Sequence, residues 1–159
     1  MNRPVVLGTL IVAFAVASAG TPLFAGDPRP WPWKSKLPPD PALVGLTSVE
    51  DVTASINKSD PPTVTITVNA SAPNPNFSEL QLAPRMGDPK DLIFAFDAKG
   101  RPPQDMTIQV TEPVTFSVEY IDAPLDKVGV IEVNGASNCK AFSVTENKAT
   151  ECTSQSAPQ

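Results

Sequence analysis

Proline placement constrains this chain more than any other feature of its sequence. There are 19 prolines among 159 residues. Each one fixes φ and removes a backbone donor, so it fits neither a helix interior nor an inner strand. Residues 27–41 read DPRPWPWKSKLPPDP, with six prolines in 15 positions. This stretch is expected to be extended and polyproline-like, making residues 26–45 a Pro/Trp-rich arm or linker. Further on, prolines mark the gaps Ser59-Asp60-Pro61-Pro62, Pro73-Asn74-Pro75-Asn76, Gly87-Asp88-Pro89, Lys99-Gly100-Arg101-Pro102-Pro103, Glu112-Pro113 and Asp122-Ala123-Pro124. Asn134-Gly135 adds a further turn signal.

Between those gaps, apolar and polar residues alternate with a period of two. Val52-Ala54-Ile56, Val64-Ile66-Val68, Leu80-Leu82, Leu92-Phe94-Phe96, Met106-Ile108-Val110 and Val114-Phe116-Val118-Tyr120 are the alternating sets. Runs over residues 128–133 and 141–144 complete them. Period two is the signature of strands with one buried and one wet face. Prolines are expected between strands and never within one. Residues 43–52 offer at most one helical turn. Strands at this spacing predict an all-β fold, an antiparallel immunoglobulin-like β-sandwich of about seven to nine strands over residues 46–153. A disordered tail is expected at 154–159. The Cys–Trp–Cys spacing of immunoglobulin domains is missing, because both tryptophans precede the sandwich, so the likeness is one of architecture.

The first 25 residues contain 16 apolar ones and are expected to be a secretory signal peptide. Arg3 lies in a short n-region, an apolar run covers residues 5–19, and small residues follow. Cleavage is expected after Ala19, in Ala17-Ser18-Ala19, or after Ala25, behind Pro22. An apolar run of 15 residues is short of the ~20 that span a bilayer. The expected location is therefore the bacterial periplasm or the medium, with no membrane insertion after cleavage. Losing Arg3 with the leader takes the net charge from −5 to −6. An acidic chain with scattered Lys and Arg is a poor partner for nucleic acid.

Residues 63–85, TVTITVNASAPNPNFSELQLAPR, resemble a pattern in small exported bacterial proteins of uncharacterised function. DLIFAFDAKGRPP and TEPVTFSVEY continue it more faintly. The resemblance implies a β-sandwich and no particular activity.

There is no histidine. This excludes Ser-His-Asp and Cys-His nucleophilic sites and histidine metal clusters. Cys139 and Cys152 are the two cysteines. In an exported protein they are expected to pair across a hairpin turning near Glu146-Asn147-Lys148. Trp31 and Trp33 are candidate partner-binding residues, since tryptophan anchors interfaces and a proline-rich segment docks with little ordering cost. The alternative is that the arm folds back and one ring covers the protein's own sheet, the other pointing outward. Arg85 and Arg101 are further candidates for a carboxylate or phosphate ligand, or else local ion pairs. Asp88, Asp91, Asp97, Asp105, Asp122 and Asp126 could gather at one end of the sandwich for Ca²⁺. No cofactor is expected. The function expected is a non-enzymatic, monomeric binding module whose partner is an unidentified protein or cell-envelope component. The alternatives are a small proteinase-inhibitor-like sandwich and, less favoured, a small hydrolase or Ca²⁺-binding domain.

Overall fold

A computed structural model describes residues 23–24, 26–35, 40–85, 92–105 and 108–153. Most of the leader and the C-terminal tail lie outside the described residues. The chain is nearly all β.

Five strands form one sheet: β1 (Leu23–Phe24), β2 (Arg29–Pro30), β4 (Ser48–Asn57), β5 (Thr63–Ala72) and β8 (Glu112–Ile121). Its order is β1-β8-β5-β4, with β2 also on β8. Six strands form the other: β3 (Val44–Gly45), β6 (Ser78–Pro84), β7 (Ile93–Arg101), β9 (Val130–Asn134), β10 (Cys139–Ser143) and β11 (Lys148–Thr150). Its order is β11-β10-β9-β7-β3, with β6 on β7. The two sheets face each other in a sandwich-like arrangement around one core.

The period-two pattern matches burial closely. Along β5, Val64, Ile66, Val68, Ala70 and Ala72 are buried while the threonines and Asn69 between them are half-exposed. Phe94, Phe96 and Ala98 of β7 and Phe116, Val118 and Tyr120 of β8 point into the same core. In β4, Val49 and Val52 are both buried although three residues apart. The register with β5 shifts between Val49 and Asp51. That extra residue turns the strand over, so both valines face inward.

Several expectations are corrected. The sheets are mixed and not wholly antiparallel: β7 pairs with β9 in parallel, and β1 and β2 lie parallel to β8. After β7 the chain crosses to the other sheet as β8, then returns beside β7 as β9. Side-chain alternation carries no information on strand direction, so the sequence could not distinguish these cases. Residues 43–52 contribute strands, and bury Leu46 and Val49, in place of a helical turn. Pro30, Pro84 and Pro113 lie within strands, each at or next to a strand end, where a missing donor interrupts little of the ladder.

The set Met106-Ile108-Val110 makes no described strand. Met106 and Thr107 lie outside the described residues, and residues 108–111 form a loop. There the Val110 N–H donates to the Ile108 carbonyl at 2.9 Å. Alternation makes a strand only where a neighbouring edge is free to pair, and among the described residues no strand pairs with this segment.

Candidate functional site

The arm is where the structure departs furthest from the extended linker expected. Arg29–Pro30 pair with Tyr120–Ile121 of β8, and the Trp31 N–H donates to the Ile121 carbonyl at 3.0 Å. One helical turn, α1 (Pro32–Ser35), follows. Proline suits its first position, where the N–H would have no helical partner. The turn lays both tryptophans on the same aromatic cluster. Trp31 is 1% exposed. Its ring meets Phe94 and Phe96 of β7 and Tyr120 of β8 edge-on, with centroids 5.0, 6.3 and 5.6 Å away. It is therefore a plug between the two sheets. Trp33 is half-buried, 4.8 Å from Phe94 and 5.5 Å from Trp31. The fold-back alternative describes this geometry, but the rings do not diverge as a three-fold helix would have them.

The Trp31 indole Nε1 is buried without a hydrogen-bond partner among the described residues, whereas Tyr120 and Arg29 beside it are partnered. The Tyr120 hydroxyl donates to the Leu82 carbonyl at 3.2 Å. Burial pushes this phenol well above its ordinary pKa, and the Arg29 charge pulls weakly the other way. The Arg29 guanidinium donates to Gln81 Oε1 at 2.5 Å.

Both arginines singled out from the sequence meet carboxylates of their own chain. Arg85 Nε lies 2.7 Å from Asp97 Oδ1. Arg101 Nη2 bridges Glu79 at 2.8 Å and Asp40 at 2.9 Å, tying the end of the arm to β6 and β7. The Ala42 N–H, ahead of Arg101, holds the Asp40 carboxyl below its usual range. Glu79, ahead of Asp40, raises the Arg101 guanidinium.

Cys139 and Cys152 form the expected disulfide, across the β10–β11 hairpin. Its turn spans residues 144–147, and Asn147 adopts φ 51°. Sequence reasoning missed what lies beneath it. Glu132 of β9 is fully buried. Its Oε1 accepts the Thr153 N–H at 2.6 Å and the Thr153 hydroxyl at 2.7 Å. Glu132 and the two sulfurs place ligand-type atoms within 4.8 Å of one another. The signal was available in Ile131-Glu132-Val133, a charge inside an apolar run. Asn138 was missed too. Its side-chain amide bonds both the N–H and the carbonyl of Val49 at 2.8 Å, joining the β9–β10 turn to the opposite sheet.

The described aspartates do not assemble into the Ca²⁺ cluster considered from the sequence. Asp88 and Asp91 lie outside the described residues, Asp97 is held by Arg85, and no cluster of three carboxylates occurs among the described residues. An open groove of about 350 Å³ runs between β4 and the β10–β11 hairpin. Glu50, Asp51, Lys140 and Glu151 rim it, all exposed. Nothing in it pairs a nucleophile with a base. Among the described residues the most exposed large apolar side chains are Ile108, at 77%, and Val110, at 56%.

Comparison with protein-family models, curated proteins and solved structures finds no match to this chain.

Proposed function

We propose that this protein is an exported, non-enzymatic binding module of the bacterial envelope, and that it engages a protein partner through the loop at residues 108–111. One observation carries this reading. Ile108 and Val110 alternate like strand residues, yet both side chains stand in solvent. A short segment with apolar side chains on alternate positions and no described sheet partner suits insertion into a partner's groove or strand addition to its edge. The disulfide supports an oxidising compartment. Among the described residues no helix is long and apolar enough to cross a membrane. The immunoglobulin-like reading rests on two facing sheets linked by a strand that crosses between them. A binding role without catalysis is supported by the lack of histidine and by the ion pairs that occupy Arg85 and Arg101.

The test is affinity capture from the native envelope with the full chain and with Ile108→Asp/Val110→Asp. Exposed positions change stability by only about 0.5 kcal/mol, so the unfolding midpoints should match. The co-purifying protein should be lost with the double variant and kept with Arg101→Ala. Equal capture by all three forms overturns the assignment of the loop.

A further inference from the structure

We infer that the leader is cut after Ala19 and not after Ala25, so that the mature chain keeps β1 as a strand closing the outer edge of β8. This rests on the export reading above. The inner edge of β8 is paired to β5 along its whole length, from Glu112 to Ile121. Among the described residues, the outer edge is served by residues from the junction between leader and arm. Leu23 and Phe24 lie opposite Phe116 and Ser117, and Arg29 and Pro30 lie opposite Tyr120 and Ile121, all in parallel. Trp31 then closes the line on Ile121.

The spacing shows one strand interrupted by an outward loop. Four residues lie between Phe24 and Arg29, while two lie between their partners Ser117 and Tyr120. The excess is absorbed between Phe24 and Arg29, where Gly26 takes φ 93°, a conformation glycine adopts without steric cost. Phe116 and Ser117 are 1% and 2% exposed with β1 in place.

Cutting after Ala25 would remove both residues of β1 and open the edge at Phe116–Ser117. Buried backbone groups there would lose their partners, and a bare edge invites association with other chains. Cutting after Ala19 leaves Gly20, Thr21 and Pro22 ahead of β1. The peptidase's preference agrees. Ala17-Ser18-Ala19 has small residues at both recognition positions, whereas a cut after Ala25 would put Leu23 at one of them.

The experiment is N-terminal sequencing and intact mass of the protein recovered from the envelope or medium of the producing cell. A chain beginning at Gly20 is the expected result. One beginning at Gly26 overturns the inference and leaves export standing. A full-length chain beginning at Met1 overturns the export reading and the inference with it. The role of β1 has its own readout. The Ile121 carbonyl faces this outer edge, and the pairing of β8 with β5 runs without a register shift. Ser117 therefore presents its N–H to β1, while Phe116 and Val118 donate toward β5. Hydrogen exchange of the Ser117 amide should be at least about ten times faster in a chain made to start at Gly26 than in one starting at Gly20, with Phe116 and Val118 changed far less. Equal Ser117 rates would show that β1 does not close this edge.

Discussion

Tyr120 is the chain's single tyrosine, so its ionisation can be followed without interference from a second phenol. In the folded protein it is 2% exposed, lies beside Trp31, and donates to the Leu82 carbonyl. Consider Tyr120→Phe. Near neutral pH the variant loses one buried hydrogen bond and keeps the ring packing, so it should be less stable by about 1 kcal/mol. Above pH ~10 the balance changes, because an unfolded tyrosine releases its proton there. The folded phenol holds its proton, since burial has raised its pKa. The folded state then carries one more proton than the unfolded state. Stability of the wild type must therefore fall by about 1.4 kcal/mol per pH unit on this account, a slope the variant lacks. The other titrating groups are common to both proteins and cancel in the difference. The two stabilities should converge near pH ~11 and cross beyond it. Urea midpoints of both proteins between neutral pH and the crossing measure this. Phenolate absorbance should stay flat in the native wild type and appear only with unfolding. A phenol that titrates near its ordinary value while the fold persists, or midpoints that run parallel throughout, would refute the reasoning.

Trp31→Ala should lower stability by about 3–5 kcal/mol through loss of the plug, with a smaller loss for Trp33→Ala; deleting residues 27–41 should lower the melting temperature by more than about 10 °C. An unchanged melting temperature would show that the arm is no part of the core. Denaturation without reductant should release no thiol, and Cys139→Ser/Cys152→Ser should cost roughly 3 kcal/mol; two free thiols in the wild type would refute the pairing. Gly135→Ala would bring a Cβ within 2.8 Å of the Ser48 Cα. It should cost about 1–3 kcal/mol, whereas Gly45→Ala meets nothing within 4 Å and should leave the denaturant midpoint where it was.

Some of the fold was legible for a simple reason. In β5 each apolar residue follows a polar one without interruption, and Val64 to Ala72 bury as written. That information is local to the strand. The disulfide was legible from cysteine count and compartment. The arm was misread because proline counts forbid a helix interior and say nothing of a first turn, so α1 at Pro32 escaped notice. Val49 and Val52 cannot share a face in a regular strand, and the bulge that reconciles them is set by pairing with β5. Ile131-Glu132-Val133 marks a charge inside an apolar run, but its partner, Thr153, is supplied only by the fold.

Proline placement and period-two alternation determined, from sequence alone, that this chain is all β and where most of its long strands lie. Both are properties of neighbouring residues, governed by dihedral limits and by which side of a pleat a side chain occupies. Tertiary structure decided what distant segments do to one another. It set β7 parallel to β9, turned Trp31 from an exposed anchor into a plug between the sheets, and placed Leu23–Phe24 on the edge of β8. It also left Ile108 and Val110 in solvent, although their pattern matches that of buried strands. A side chain is buried only when a partner surface arrives to cover it, and that partner comes from elsewhere in the chain.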